Sequence, residues 1–252
     1  MDPAESLLRD PMSMTLFSSR SSDDTSLQPA APGEDREIPV RREELVLQSA
    51  PDSHTSEQVR RLRNSLQALN PDGASRSILV TSSIEGEGKT VGTLNLALAL
   101  AELPQLKVLV LDADFQNPGV ERYLGLPRRQ GFTEVLQSRL KLDQAIRSTS
   151  VPHLDIVGAG EQPLNPAEIL NLDRVRAVLN AVKRRYDYVL VDSPAVLSLN
   201  HPSVLGTVVD GILMVVRLGM TPKPMVEEAY GMLETMGGNV LGTYLTGSQA
   251  RF

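Results

Sequence analysis

The 252-residue sequence contains no cysteine. A disulfide framework, a thiolate zinc cluster and a thiol nucleophile are therefore excluded. It also lacks any apolar run near the roughly 18 uncharged residues a membrane-spanning helix needs, and its first residues lack the apolar core of a signal peptide. Basic charge is not in excess either. A net charge of -6 and a pI near 5.2 argue against sequence-independent binding to nucleic acid by the whole chain. The expectation is a cytoplasmic protein that binds no nucleic acid and reaches a membrane only through a partner. No internal repeat is visible, so one folded domain is the simplest arrangement.

Residues 1–50 read differently from the rest. They carry serine pairs, the proline-rich stretch Gln28-Pro29-Ala30-Ala31-Pro32-Gly33, and ten acidic against five basic residues, without a helical or alternating apolar period. Such a segment cannot bury enough apolar surface to offset its ordering entropy. A disordered acidic tail is expected over 1–50, and a folded domain over 51–252.

From Thr55 onward the chain alternates helix and strand patterns. Thr55 with Gln58 fits a capping box, and Val59, Leu62, Leu66 and Leu69 recur at helical spacing until Asn70-Pro71-Asp72-Gly73 stops the helix. Beside that apolar stripe run Glu57, Arg60 and Arg63. Short, nearly continuous apolar strands are predicted at Ile78–Thr81, Val108–Leu111, Leu154–Val157, Tyr188–Val191, Gly211–Val216 and Val240–Leu245. Helices are predicted at Val91–Leu103, Phe132–Leu136, Asp173–Tyr186 and Pro224–Met236. This alternation predicts an α/β fold: a doubly wound, mostly parallel sheet with helices on both faces and a ligand at the carboxyl edge of the strands.

The most informative stretch is Thr81-Ser82-Ser83-Ile84-Glu85-Gly86-Glu87-Gly88-Lys89-Thr90. It joins a strand to a helix, which is the order a phosphate-binding loop requires. Loop and helix N–H groups converge on phosphate oxygens, Lys89 reaches the β- and γ-phosphates, and the Thr90 hydroxyl holds Mg²⁺. Ser83 stands where the strict pattern opens with glycine. The candidate nucleotide-contacting residues are Ser83, Glu85, Gly86, Glu87, Gly88, Lys89, Thr90 and Val91. Three carboxylates close two strands: Asp112 and Asp114 after Val108–Leu111, and Asp192 after Tyr188–Val191. At the tips of parallel strands beside such a loop, these oxygens suit Mg²⁺, with Thr90, Asp112 and Asp192 as candidate metal ligands. Lys89, Asp112 and Asp114 are the candidate catalytic residues, with Asp112 and Asp114 expected on one side of an extended strand.

These residues resemble the bacterial tyrosine kinases, within the MinD/ParA-like class of P-loop ATPases. The glycine loop with Asn95-Leu96-Ala97 is similar to their Walker A segment, Asp112-Ala113-Asp114 to Walker A′, and Tyr186 through Leu197 to Walker B. Asn165-Pro166-Ala167-Glu168-Ile169-Leu170 resembles a further family segment, Asp210 through Arg217 a later strand, and Glu57-x-x-Arg60-x-x-Arg63 the motif by which these domains pack into rings. The resemblance runs from about Glu57 to Gly247. It implies a P-loop NTPase fold, ATP and Mg²⁺, and transfer to a protein tyrosine with Asp114 orienting the attacking hydroxyl. It further implies a homo-oligomeric ring through Glu57, Arg60 and Arg63. A membrane polysaccharide co-polymerase would recruit the protein to the inner face of the cell membrane and activate it, in capsule or exopolysaccharide production. Ile84 falls where the positioning ATPases carry a signature lysine.

Departures from the family pattern matter as well. Gln116 replaces an arginine after Walker A′, Leu199-Asn200-His201 lacks a usual aspartate, Thr246 stands where an asparagine is common near the base, and no tyrosine cluster ends the sequence. Tyr186, Tyr188 and Tyr244 belong to strand patterns and are expected to be at least partly buried. Two alternatives to the kinase follow: a catalytically weak ATP-dependent switch of the same machinery, or a ParA/MinD-type positioning ATPase.

Overall fold

The computed structural model describes residues 43–163, 165, 169–199 and 201–247. Their order is α1 (Val46–Ser49), α2 (His54–Ala68), β1 (Arg76–Ser82), α3 (Lys89–Ala101), β2 (Val108–Asp112), α4 (Val120–Leu124), α5 (Phe132–Leu136), α6 (Leu142–Ala145), β3 (Arg147–Ser148), β4 (Leu154–Val157), α7 (Leu172–Lys183), β5 (Tyr188–Asp192), α8 (His201–Gly206), β6 (Gly211–Arg217), α9 (Lys223–Thr235) and β7 (Val240–Thr246). The strands form one seven-stranded sheet in the order β3-β4-β2-β5-β1-β6-β7. All pairings are parallel except β3 with β4.

The apolar runs explain this layout. The central strands are buried on both faces, so each needs an apolar cover on each side. One face packs Val80, Val110, Leu190 and Val215 against Leu96, Leu100 and Val59 of α3 and α2. The other packs Leu79, Leu109, Val189 and Met214 against Val175, Leu179 and Leu233 of α7 and α9. Helix α3 is covered along nearly its whole length, so an isotropically small and apolar sequence suits it. Gly92 in α3 lies under the Tyr244 ring, where an added Cβ would come within 2.9 Å of the ring edge.

All six predicted strands are present, and the expected doubly wound sheet is the observed one. Short elements escaped prediction: α1, α4, α6, α8 and the two-residue β3 are too brief to show a period. Helix α2 begins earlier than expected. Ser53 is its N-cap, its hydroxyl accepting from Ser56 N–H at 3.2 Å, whereas Gln58 of the expected box pairs with His54. Leu69 lies past the helix end and is 59% exposed, so it does not continue the packed stripe.

The expected tail over 1–50 overlaps this packing. Leu45 and Leu47 are buried against α3, and the Asn95 amide donates to Glu44 O at 2.8 Å. The packed domain therefore includes residues before 51; residues 1–42 lie outside the described residues. So do Pro166, Ala167 and Glu168 of the Asn165–Leu170 segment, and Asn200.

The Glu57, Arg60 and Arg63 stripe faces α3. Arg60 makes a fork to both Glu102 oxygens, at 2.7–3.2 Å, and also meets Glu57 at 2.7 Å. Arg63 donates to Ala99 O and to Glu102, both at 3.0 Å. Bidentate guanidinium pairing of this kind fixes orientation as well as charge. Glu57 remains the exposed member, at 56%.

Candidate nucleotide-binding site

Strand β1 sits between β5 and β6, so the loop that leaves its carboxyl end opens at the centre of the sheet edge. This is where α/β sheets of this type receive ligands. Gly86 and Gly88 hold φ of 83° and 89°, a left-handed backbone that only glycine adopts cheaply, and Gly88 is the N-cap of α3. The turn delivers Lys89 and Thr90 as the first helical residues, beside free N–H groups and the positive end of the helix dipole.

Neighbouring segments hold the loop rigidly. Val196 N–H donates to Ser82 O at 2.8 Å and Leu197 N–H to Ser83 O at 3.1 Å, tying the residues after β5 to the loop's start. The fully buried Glu87 carboxylate accepts from Ile84 N–H at 2.8 Å, from Arg217 N–H at 3.0 Å and from the Thr221 hydroxyl. Thr246 donates to Glu87 O at 2.7 Å, and the Arg217 guanidinium to Gly86 O at 3.1 Å. Glu87, expected at the nucleotide, thus spends its side chain on anchoring the loop to the end of β6; only its backbone is left to face a ligand. Ser83 is buried and among the described residues its hydroxyl has no hydrogen-bond partner, whereas Val91 is partly buried on the first turn of α3.

Two of the three predicted strand-tip carboxylates, Asp192 and Asp114, contact loop residues, and Asp112 lies beside Asp192. Thr90 donates to Asp192 Oδ2 at 2.6 Å, and the Thr93 hydroxyl lies 3.1 Å from Asp192 Oδ1. Lys89 Nζ is 2.9 Å from Glu85 Oε2 and 3.4 Å from Asp114 Oδ2. Asp112 faces Asp192 in register across β2 and β5. Its oxygens accept N–H bonds from Asp114 at 3.1 Å and from Gly119 and Val120 at 3.0 Å, so it also fixes the start of α4. The extended geometry expected through Asp114 does not hold: the chain turns after Ala113, as the Asp114 N–H bond to Asp112 shows. Asp114 still reaches the site from that turn, held by Asn117 N–H at 2.9 Å, and among the described residues its Oδ2 has no hydrogen-bond donor.

Charge is concentrated here on buried side chains. Burial pushes the Asp192 carboxyl up to about 7; the Thr90 hydrogen bond and the Lys89 charge pull it down, and Asp114 adds repulsion. Burial likewise raises Asp112 well above the carboxylate range, with Asp192 as the next cause. Burial opposes the Lys89 charge, yet the Glu85 hydrogen bond and the fields of Asp114 and Asp192 outweigh it, holding its pKa above the ordinary lysine value.

Thr93 was the residue that sequence reasoning missed. It lies one turn beyond Thr90 on the same face of α3, and that spacing was a usable signal. The Glu87 anchor through Arg217 and Thr221 had no local signal, because its partners lie about 130 residues away. Gln116, the departure from an expected arginine, is exposed, while adjacent Phe115 is buried and stacks on Phe132 at 5.9 Å between ring centroids.

The Mg²⁺ expectation can be tested against these donors. Among the described residues no group of three or more His, Asp or Glu is placed to hold a metal by itself. A hydroxyl bonded to one carboxylate, beside a second buried carboxylate and an orphaned carboxylate oxygen, is the donor set for a Mg²⁺ completed by water and phosphate. The residues fit.

A loop of this form at the centre of a parallel sheet defines a P-loop ATPase. A family model described as "AAA domain" matches residues 75–222. The tyrosine-protein kinase YwqD of Bacillus subtilis is 32% identical over 205 residues, covering 81% of this chain and 86% of YwqD. The kinase domain of the Escherichia coli tyrosine kinase ETK superposes with a TM-score of 0.79 at 28% identity, covering 91% of this chain and 86% of that domain. The septum site-determining protein MinD of Pyrococcus horikoshii, solved with Mg-ADP, superposes with a TM-score of 0.59 at 26% identity, over 68% of this chain and 70% of MinD. The chain belongs to the bacterial tyrosine kinase family, within the MinD/ParA-like class of P-loop ATPases.

The buried carboxylates give a pH dependence of known sign. A carboxyl raised in the folded state contributes stability that is complete below its unfolded pKa, near 3.8, and lost as pH rises through about 7. Between about pH 5 and about pH 8, nucleotide-free wild type should lose melting temperature relative to Asp192→Asn, whose amide does not titrate. Thermal melts across that range check this; parallel curves for the two proteins would refute the assignment.

Proposed function

We propose that this protein is an ATP-dependent protein-tyrosine kinase acting in capsule or exopolysaccharide production, with a membrane co-polymerase as activating partner. The supporting observation is the convergence of Lys89, Thr90, Asp114 and Asp192 at the amino end of α3. Family membership supports the reaction class, and the resemblance of the motifs supports the polysaccharide setting and the ring.

Each residue then has a role its surroundings permit. The loop amides and Lys89 bind the triphosphate. Thr90 and Asp192 would hold Mg²⁺, which would supply charge neutralisation to a bound triphosphate. Asp112, whose two oxygens accept three N–H bonds and fix the start of α4, keeps acceptor capacity and would complete the metal's surroundings beside Thr90 and Asp192. Asp114 Oδ2, buried, 3.4 Å from Lys89 Nζ and without a hydrogen-bond donor among the described residues, is the base that accepts or orients the tyrosyl proton.

The acceptor is a tyrosine on another protein. Tyr186 and Tyr188 are buried, the former donating to Asp155 at 2.7 Å, and Tyr244 packs over Gly92. Local unfolding would be needed to bring these hydroxyls to a neighbouring γ-phosphate, against the in-line geometry of transfer. Recruitment to the inner membrane face falls to the partner: among the described residues no helix is long and apolar enough to cross a membrane.

Coexpression with the co-polymerase's cytoplasmic segment, followed by phosphotyrosine detection and mass spectrometry, tests the reading. Phosphate should appear on a partner or substrate tyrosine with wild type and fall by about 100-fold or more with Lys89→Ala, which removes the charge on the phosphates. Unchanged transfer in Lys89→Ala would contradict the mechanism, and abundant phosphotyrosine on any of this chain's own five tyrosines, the exposed Tyr230 included, would contradict the choice of acceptor. Absence of any phosphotyrosine, with ATP binding intact, would leave the regulatory switch in its place.

The ring is proposed to form through the α2 edge. Because Arg60 and Arg63 already hold Glu102 within the chain, reversing them would confound assembly with folding. Glu57→Lys is the cleaner variant, since an exposed i,i+3 pair contributes only about 0.2–1 kcal/mol to stability. Light scattering with Mg-ATP and partner should show it shifted toward monomer. An unaltered size distribution would remove Glu57 from the interface.

A further inference from the structure

Glu85, expected among the nucleotide-contacting residues, directs its carboxylate at the P-loop lysine itself. Its two oxygens bridge two parts of the site: Oε2 accepts from Lys89 Nζ at 2.9 Å, and Oε1 accepts from Ala195 N–H at 3.3 Å, just beyond β5. It differs in kind from Glu87, two residues on. Glu87 is fully buried and tied to Ile84, Arg217 and Thr221, whereas the Glu85 side chain is 46% exposed.

The Lys89 ammonium has three N–H donors and two carboxylates close by, Glu85 and Asp114. A phosphate group brought to that ammonium meets both negative charges. Asp114 is buried at the turn after β2 and held by Asn117 N–H, so it has no open solvent to move into. Glu85 can, because solvent is open to it. Its departure frees the Lys89 ammonium and the Ala195 N–H together.

We infer that Glu85 is an anionic latch on the P-loop lysine, competing with nucleotide phosphate for Lys89 and joining the loop to the segment after β5 until phosphate displaces it. This inference rests on the nucleotide reading above and adds a regulation to that same site. A protein whose binding-competent form is only part of its population binds with an affinity reduced by that fraction, and removing the latch removes the reduction.

Titration calorimetry of the full chain with Mg-ATP tests it, using wild type, Glu85→Gln, Glu85→Asp and Lys89→Ala. Gln keeps the side-chain shape without the charge. Asp keeps the charge but is one methylene too short to bridge. Glu85→Gln should bind about 3- to 10-fold more tightly than wild type, and Glu85→Asp should also gain, by a smaller factor. Glu85→Gln binding no more tightly than wild type would overturn the latch. So would Glu85→Asp indistinguishable from wild type, since a tighter Glu85→Gln would then report charge alone and not the contact. If wild type binds through Lys89 and both Glu85 variants match it, the latch falls and the nucleotide site stands. If no variant and no wild type binds Mg-ATP, both fall together.

Discussion

Two carboxylates buried side by side, Asp112 and Asp192 at adjacent strand tips, set the terms for the rest of the site. The parallel register of β2 and β5 makes them direct neighbours, and neither is reached by solvent. Desolvation and mutual repulsion both oppose their ionisation. The fold answers with directed dipoles: three backbone N–H groups toward Asp112, and the Thr90 and Thr93 hydroxyls toward Asp192. Lys89 supplies the nearby positive charge, reaching Asp114 at 3.4 Å. What remains is a compact, incompletely neutralised negative site facing the positive end of α3, suited to a divalent cation that arrives with phosphate.

The loop that presents Lys89 must be rigid where it meets phosphate and free where charge has to move. Its two glutamates divide these demands. Glu87, sequestered from water, welds the loop to the ends of β6 and β7 through Arg217, Thr221 and Thr246. A buried carboxylate satisfied by several donors is costly to disturb. Glu85 touches the same loop from the solvent side and, among the described residues, holds Lys89 and Ala195. Through Ala195 and the Val196 and Leu197 N–H bonds, the loop and the segment after β5 form a single mechanical unit.

Much of this was legible in the sequence because the informative signals were local. The six long strands announce themselves as β-branched apolar runs, and glycine loop, Lys-Thr and helix follow one another within ten residues. Asp112 and Asp192 could be placed at strand tips because the strands that carry them end there. What stayed hidden depends on distant partners. The order of the sheet, with β5 rather than β2 beside β1, pairs segments more than 100 residues apart. The partners of Glu87, and the capture of Arg60 and Arg63 by Glu102, are of the same kind. The turn at Asp114 was misread for a different reason: a side-chain oxygen of Asp112 takes the Asp114 N–H, a local competition that strand parity does not anticipate.

The central claim is that Thr90 and Asp192 bind Mg²⁺ jointly with nucleotide phosphate, and the Mg²⁺ dependence of ATP affinity measures it most directly. Calorimetric titrations with and without Mg²⁺ should show wild type gaining about 10-fold or more from the metal, and Thr90→Val, which keeps the branched shape and loses the hydroxyl, losing most of that gain. Thr90→Val retaining the whole Mg²⁺ increment would contradict the account.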